Sequence, residues 1–437
     1  MDQKRYPPAS LAWLVWGLGA AFYFIGFYHR VAPAVMTNQL MADFNIGAAA
    51  LGNFSAFYFY SYVLMQIPTG ILADYWGPRK LLAAGTIVTA VGTLLFASAS
   101  SIMPANLGRL LIGGSVGVAW VATLRLSTCW FESRYYATLS GLALLCGVLG
   151  AVTAGIPLHF LVTRFGWRPV MFVAAALLFL VGAVIWLIVR DDPSGWGYRS
   201  FAPPEPRAAI SAVMLRRDLM TALRYRNVWL LFLVGCGLTG PVITFTGLWG
   251  VPYFTTQYGM PITTASAITS TMLICFAVGA TLLGMLSDRI ALRKPVVFTG
   301  TITALLGWIP VLLIPDLPFL LLIGLVILVG LSSGSAIVCF AFVKESVPPR
   351  FAGTVSGVQN MGAMGGAMIL PPAIGWMLDL CWQGTLAGGV RIYPLAAYRS
   401  GFLLIIAFSI LAVLAIGFTA ETRCRPAGTP DGEDRVG

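Results

Sequence analysis

Residues 70–80 read Gly-Ile-Leu-Ala-Asp-Tyr-Trp-Gly-Pro-Arg-Lys, and a shorter copy of this stretch starts at Gly284, 214 positions after Gly70. A second motif recurs at nearly the same spacing, because Thr-Leu-Ser-Gly at 138–141 is echoed by Thr-Val-Ser-Gly at 354–357. Two separate motifs that repeat together indicate an internal duplication of the chain.

The composition around these motifs is that of a membrane protein. The chain has 437 residues, of which 58% are hydrophobic and 10% are charged, and its mean hydropathy is +0.85. Soluble domains carry about 25% charged residues. A soluble globular protein and a disordered chain are therefore both excluded.

The apolar runs between the motifs predict an all-α membrane protein. A bilayer core of about 30 Å needs roughly 20 apolar residues per helix. On that basis we predict twelve transmembrane helices, at 11–36, 47–72, 80–101, 105–128, 136–162, 169–190, 228–254, 264–287, 295–315, 318–343, 353–378 and 400–420.

The basic residues predict the orientation of the chain. With the N-terminus in the cytoplasm, the cytoplasmic loops and both termini hold 20 Lys and Arg residues, and the opposite loops hold four. Basic residues concentrate on the cytoplasmic side of membrane proteins, so we expect both termini there, in a bacterial inner membrane.

The duplication divides the predicted helices into two pseudo-symmetric six-helix bundles, an organisation common in transporters. We expect a first bundle over 1–190, a cytoplasmic linker over 191–227, and a second bundle with a short cytoplasmic tail over 228–437. The linker is interpreted as a tether between the halves; a regulatory role is the alternative.

With these motifs, nearly the whole chain resembles the major facilitator superfamily of secondary transporters, and it looks nearest to the anion:cation symporter branch. The resemblance is looser to the organophosphate exchangers. In the symporter branch an acidic residue stands where this chain has His29, and a glutamate stands where it has Val116. Organophosphate exchangers would carry a second arginine in span seven, and residues 237–247 contain none.

The repeated loop predicts a gate on the cytoplasmic side. A glycine lets two helices approach closely, and Asp74 can accept hydrogen bonds from a helix N-terminus, which we expect near Gly353. The resemblance implies that the charges around it hold this side shut in the outward-open state. The candidate gating residues are Gly70, Asp74, Gly77, Arg79, Lys80, Glu132, Arg134, Gly284, Asp288 and Arg289.

An arginine in the membrane predicts a binding site. All sixteen carboxylates fall in loops, termini or helix ends, whereas Arg30 and Arg109 lie within predicted spans. Ionisable groups there are functional candidates, and a guanidinium offers a planar fork of donors that suits a carboxylate or phosphate. The alternatives for Arg30 are an ion pair with Asp43 or a side chain that reaches the lipid headgroups.

Polar and aromatic residues complete the predicted site. The candidate substrate-binding residues are Arg30, His29, Tyr28, Arg109, Tyr58, Tyr62, Trp249, Gln359 and Asn360. His29 could carry a co-transported proton, because an imidazole titrates near neutrality. The alternatives are transport driven by the solute gradient alone and, for the aromatic residues, ordinary helix packing.

We therefore expect secondary active transport of a small organic solute, an organic anion, by alternating access. A drug or metabolite exporter of the same fold and a non-transporting membrane sensor are the alternatives. We expect no enzymatic activity, no cofactor, no metal site and no nucleic-acid partner. The expected partners are the solute, a proton if one is co-transported, and the lipid bilayer around a monomer.

Overall fold

The computed structural model describes residues 5–202, 220–387 and 389–425, and this part of the chain is almost entirely helical. A two-residue antiparallel hairpin pairs Leu386–Ala387 with Val390–Arg391. The α-helices are α1 (Ala9–Val31), α2 (Thr37–Phe44), α3 (Ala48–Ser98), α4 (Ile102–Trp130), α5 (Tyr136–Thr153), α6 (Ile156–Phe165), α7 (Trp167–Ile188), α8 (Arg226–Thr244), α9 (Gly250–Tyr258), α10 (Ile262–Ile290), α11 (Lys294–Leu313), α12 (Phe319–Ser333), α13 (Val338–Glu345), α14 (Ala352–Leu380) and α15 (Leu395–Gly417).

Eleven helical stretches in the described residues are long and apolar enough to cross a membrane, and each coincides with a predicted span. The predicted span at 47–72 is helical but is not among the eleven. This span is less apolar than the others because it carries several polar and tyrosine side chains. They include Asn53, Ser55, Tyr58, Tyr60, Ser61, Tyr62 and Gln66.

Gly77 separates the second and third predicted spans, which form the two segments of α3 on either side of a kink. Its φ of 76° and ψ of 162° break the helix, and Pro78 starts the next helical segment. At the equivalent position of the second half, Ala291 ends α10 with a φ of 52°. Both halves thus turn through a positive φ at this loop, but only the first half has a glycine for it.

A turn of π-helix over Phe245–Trp249 joins α8 to α9. Pro241 lies four residues before this turn and lacks a backbone N–H, which favours a local change in hydrogen-bond pattern. The predicted span at 228–254 is therefore helical throughout but not regular, and the irregular turn carries Trp249.

The chain forms two compact units. The first comprises 1–32 and 57–209, and the second comprises 33–56 and 210–437, in each case for the described residues only. Residues 33–56 thus group with the second unit, although the sequence assigns them to the first bundle. Helix α3 begins in the second unit and continues into the first.

Candidate functional site

Arg30 lies in the last turn of α1 and is buried within the first unit, with 6% of its surface exposed. Its guanidinium carbon lies 4.1 Å from the ring centre of Phe27 and 5.4 Å from that of Tyr62. Among the described residues the groups that act on it are tyrosines and no carboxylate, with a side-chain hydrogen bond to Tyr58, and its Nε makes no hydrogen bond. Because this side chain is buried, its extension to the lipid headgroups, one of the predicted alternatives, is not the observed arrangement.

Arg109 lies in α4 and is also buried, at 2% exposure. Its Nη1 donates a 2.6 Å hydrogen bond to the backbone carbonyl of His29. The Tyr58 ring centre lies 5.1 Å from the guanidinium carbon of Arg109 and 5.7 Å from that of Arg30. One aromatic ring thus contacts both buried cations, an arrangement that stabilises positive charge away from water.

Close packing of α3 against α4 places Tyr58 and Tyr62. A side chain at Gly113 would collide with the backbone carbonyl of Tyr58, so only glycine permits this approach. The Tyr58 and Tyr62 rings are stacked, with centres 6.0 Å apart and planes at 13°. Tyr58 donates a 3.3 Å hydrogen bond to the Gly26 carbonyl. Gly113, four residues after Arg109, therefore acts at least through helix packing.

His29 is almost fully buried and has one side-chain hydrogen-bond partner in the described residues. Its Nε2 is 3.3 Å from the Thr93 hydroxyl oxygen, and that hydroxyl donates to the Thr89 carbonyl at 2.8 Å. Because the hydroxyl hydrogen is used, Nε2 carries the hydrogen in this arrangement. The half-buried Tyr28 meets the imidazole edge to face at 5.5 Å.

The candidates in the second unit have different surroundings. Trp249 is buried and donates from Nε1 to the Pro371 carbonyl at 3.1 Å, so its polar atom is already used within the protein. Gln359 is 1% exposed, and neither amide atom has a hydrogen-bond partner among the described residues. Asn360 is half-buried beside it in α14. Of these three, Gln359 is the residue whose polar group a ligand would satisfy.

In the first copy of the repeated loop, Arg79 is held by the last turn of α7 and by a residue that follows it. Its backbone N–H donates to the Asp191 carboxylate at 2.7 Å, and its guanidinium donates to the Trp186 carbonyl at 2.7 Å. Glu132 and Arg134 instead pair with each other at 2.8 Å on the surface, where an ion pair stabilises little. The contacts of the Gly70 and Asp74 side-chain positions lie outside the described part of the structure.

In the second copy, the charge network is centred on Arg293 rather than on the exposed Arg289. The Arg293 guanidinium donates to Asp288 at 2.6 Å and to Glu345 at 2.8 Å. Burial alone would lower the pKa of Arg293, but hydrogen bonds to these two carboxylates outweigh it and raise the pKa. Sequence reasoning left Arg293 out of the candidate list, although it stands 214 positions after Arg79.

A carboxylate after the last helix of each half caps the helix that follows the loop. Asp191 accepts from the Arg79 N–H, and Glu421 accepts from the N–H groups of Arg293 and Lys294 at 3.0 and 2.7 Å. The sequence analysis assigned no role to either residue. Such contacts leave no local pattern, because the partners are far apart along the chain.

The eleven long apolar helices of the described residues define a multi-pass membrane protein. The sequence model of the Major Facilitator Superfamily matches residues 16–251 and 242–435. The chain therefore belongs to that superfamily, and it is a secondary transporter, not an enzyme. The predicted family and fold class are confirmed.

Two relatives and one solved structure show how far the similarity extends. The probable sulfoacetate transporter SauU of Cupriavidus necator is 25% identical over 84% of this chain and 87% of its own. A probable hexose phosphate transport protein of Chlamydia pneumoniae is 24% identical over 84% of this chain and 85% of its own. The crystal structure of a bacterial homolog of the human lysosomal transporter Spinster superimposes with a TM-score of 0.73 at 17% identity, covering 94% of this chain and 97% of its own.

Proposed function

We propose that the protein transports a small organic anion by alternating access and that Arg30 binds the anionic group. The observation that carries this proposal is a buried guanidinium that no described carboxylate contacts. An uncompensated charge inside a membrane protein is costly, and an anionic solute would compensate it. The sulfoacetate and hexose phosphate named for the two relatives are both anions.

The surroundings of Arg30 suit an oxyanion group. The guanidinium is planar and lies over the Phe27 ring, so this contact leaves the N–H groups at its edge able to donate in pairs. A carboxylate, sulfonate or phosphate accepts such paired hydrogen bonds. Arg109 adds a second positive charge through the shared ring of Tyr58. We propose Gln359 as a separate polar contact in the second unit.

The test is uptake by purified protein in proteoliposomes. The panel would contain sulfoacetate, a hexose phosphate and a dicarboxylate, with xylose and an organic cation as neutral and cationic controls. We expect saturable uptake of an anion, and we expect Arg30→Ala to lower kcat/KM about 10- to 100-fold, the range for loss of a charged hydrogen-bonding group. Arg30→Lys should restore little, because an ammonium lacks the planar fork.

Arg164→Ala is the matched control, since Arg164 is exposed in the last turn of α6 and should not affect uptake. Uptake of a neutral or cationic solute that Arg30→Ala leaves unchanged would contradict the anion assignment. That outcome would favour the exporter alternative. Absence of uptake for the whole panel, with the protein folded, would favour the membrane sensor.

We propose two alternatives for what drives transport, namely a co-transported proton carried by His29 or the solute gradient alone. His29 has no described carboxylate partner, and Arg109 contacts its backbone, so a protonated imidazole would add positive charge beside a cation. A bound anion would reduce that repulsion, which would couple proton binding to solute binding. The alternative is exchange driven by the solute gradient alone, with His29 held by Thr93 as a structural residue.

We also propose a monomer in a bacterial inner membrane, with both termini cytoplasmic and the linker at 191–227 joining bundles over 1–190 and 228–437. The support is the distribution of basic residues and the duplication. Residues 203–219 of that linker lie outside the described part. Protease cleavage of the C-terminal tail in inside-out vesicles but not in intact cells would support this orientation.

A further inference from the structure

Asp379, in the last turn of α14, accepts four hydrogen bonds. Its Oδ1 accepts from the Tyr393 hydroxyl at 2.6 Å, from Arg391 Nη1 at 3.1 Å and from the Ala48 N–H at 3.1 Å. Its Oδ2 accepts from the Ala49 N–H at 2.8 Å. The Ala48 N–H also lies 2.8 Å from the Tyr393 oxygen. A single carboxylate thus gathers two backbone amides, a phenol and a guanidinium, all within the second unit.

The two amides belong to the first turn of α3, which starts at Ala48. The first amides of a helix have no partner inside that helix, and a negative charge is favourable there. Burial is the larger reason that the pKa of Tyr393 is raised, and the Asp379 carboxylate raises it further, so the phenol keeps the proton that it donates. The contact therefore holds the start of α3 with complementary groups.

The backbones of α3 and α14 touch beside this carboxylate. A side chain at Gly375 would collide with the Ala48 carbonyl, and one at Gly52 would collide with the Pro371 carbonyl. A Cβ at Gly47 would lie 2.7 Å from both oxygens of Asp379. Glycine is thus found at three points where any larger residue would prevent the contact.

A cavity of about 400 Å³ lies next to this contact in the second unit. Thr37, Leu51, Trp249, Arg391, Tyr393 and Tyr398 are among the residues that line it. Because Leu51 and Thr37 are buried, solvent reaches this part of α2 and α3 poorly in the observed arrangement. If the first turn of α3 were released, Thr37 and Leu51 would become more accessible to solvent.

We propose that Asp379, Tyr393 and Arg391 form a latch that holds the start of α3 closed on the side predicted to face outside, and that the latch opens during each transport cycle. This inference rests on the proposed alternating access. The sequence predicts a contact at the inner side between Asp74, near the end of span two, and the start of span eleven. At the side predicted to face outside, the two spans exchange these roles. There Asp379, near the end of span eleven, accepts from the amides at the start of span two.

The first test is hydrogen–deuterium exchange of the full-length protein in nanodiscs, with no solute added. We expect the amides at 48–51 to exchange about tenfold faster in Asp379→Asn than in the wild type, since a charge-assisted acceptor is lost. Tyr393→Phe should give a smaller increase, and it serves if Asp379→Asn does not fold. Asp316→Asn, at an exposed carboxylate in the α11–α12 loop, is the matched control and should change nothing.

The second test asks whether release of the latch opens the outer side. In intact cells, a membrane-impermeant maleimide should label Thr37→Cys several-fold faster when Asp379→Asn is also present, with labelling read by peptide mass spectrometry so that the native cysteines can stay. Unchanged amide exchange in both latch variants would overturn the proposal. Faster exchange with unchanged labelling would also overturn it, because the contact would then only prevent local fraying. Neither measurement needs a solute, so the latch can stand if the proposed anion transport fails.

Discussion

Replacement of Gly77 by alanine should destabilise the protein through two separate effects. The backbone at φ 76° and ψ 162° is unfavourable for a residue with a Cβ, at about 1–3 kcal/mol. The new Cβ would also lie 2.6 Å from the carboxyl carbon of Asp191, so that carboxylate would have to leave the Arg79 N–H. Loss of a helix cap costs about 1–2 kcal/mol, for a total of about 2–5 kcal/mol.

The apparent Tm of purified protein in nanodiscs measures this effect. With an unfolding entropy of about 2.1 cal/mol/K per residue, a chain of this length loses about 1 °C per kcal/mol, so Gly77→Ala should lower Tm by about 2–5 °C. Asp191→Ala alone should lower Tm by about 1–2 °C, through loss of the cap.

The double variant separates the two causes. Because Gly77→Ala already displaces the carboxylate, adding Asp191→Ala should lower Tm little further, and the two effects should be clearly less than additive. Additive losses would show that Asp191 does not occupy the space beside Gly77. A Gly77→Ala protein with the Tm of the wild type would refute the whole argument.

Three substitutions at other positions test further features of the structure. Ala291→Gly should raise Tm by about 1 °C, because glycine adopts the positive φ of this position without the strain of a Cβ; an unchanged or lower Tm would argue against that strain. His29→Gln should keep solute exchange but lose accumulation driven by an inward pH gradient if His29 carries the proton; equal accumulation in both proteins would leave exchange as the mechanism. Partial burial opposes ionisation of Asp192, but hydrogen bonds from Ser194 and Ser200 lower its pKa. The folded pKa is the lower one, so this contribution to stability is complete above the unfolded pKa near 4 and is lost as the pH falls through the folded pKa. As the pH is lowered from 6 to 3, the Tm of Asp192→Asn should therefore fall less than the Tm of the wild type. An equal fall in both proteins would count against this role.

The sequence predicts the class of fold because its signals are local. Apolar runs of fixed length give the spans, and the loop at 70–80 with its copy gives the duplication. The charge of Arg30 inside an apolar run is equally local, so its candidacy needs no structure. Phe27 could have been found as well, since it stands three residues before Arg30 and so shares its face of the helix.

What the sequence does not predict depends on contacts between distant residues. Nothing near Asp191 or Glu421 indicates that each caps a helix more than 100 positions away. The grouping of 33–56 with the second unit is likewise set by tertiary contacts at Ala48. Asp379 is likewise only one of sixteen carboxylates in the sequence, because its partners come from two separate segments, one of them 331 positions away.

The hydrogen bond from Arg109 to the His29 carbonyl also bears on how the protein enters the membrane. A span inserts less readily when it carries a charge, at about 2.5–3.5 kcal/mol for an arginine at the centre of a helix. The ribosome synthesises the acceptor, His29, 80 residues before the donor, Arg109. Helix α1 therefore enters the bilayer before α4 has been synthesised. The hydrogen bond between the two helices can form only after α4 has been synthesised. Replacement of Arg109 therefore changes the cost of insertion as well as the contact, and transport rates of such variants need to be expressed per inserted molecule.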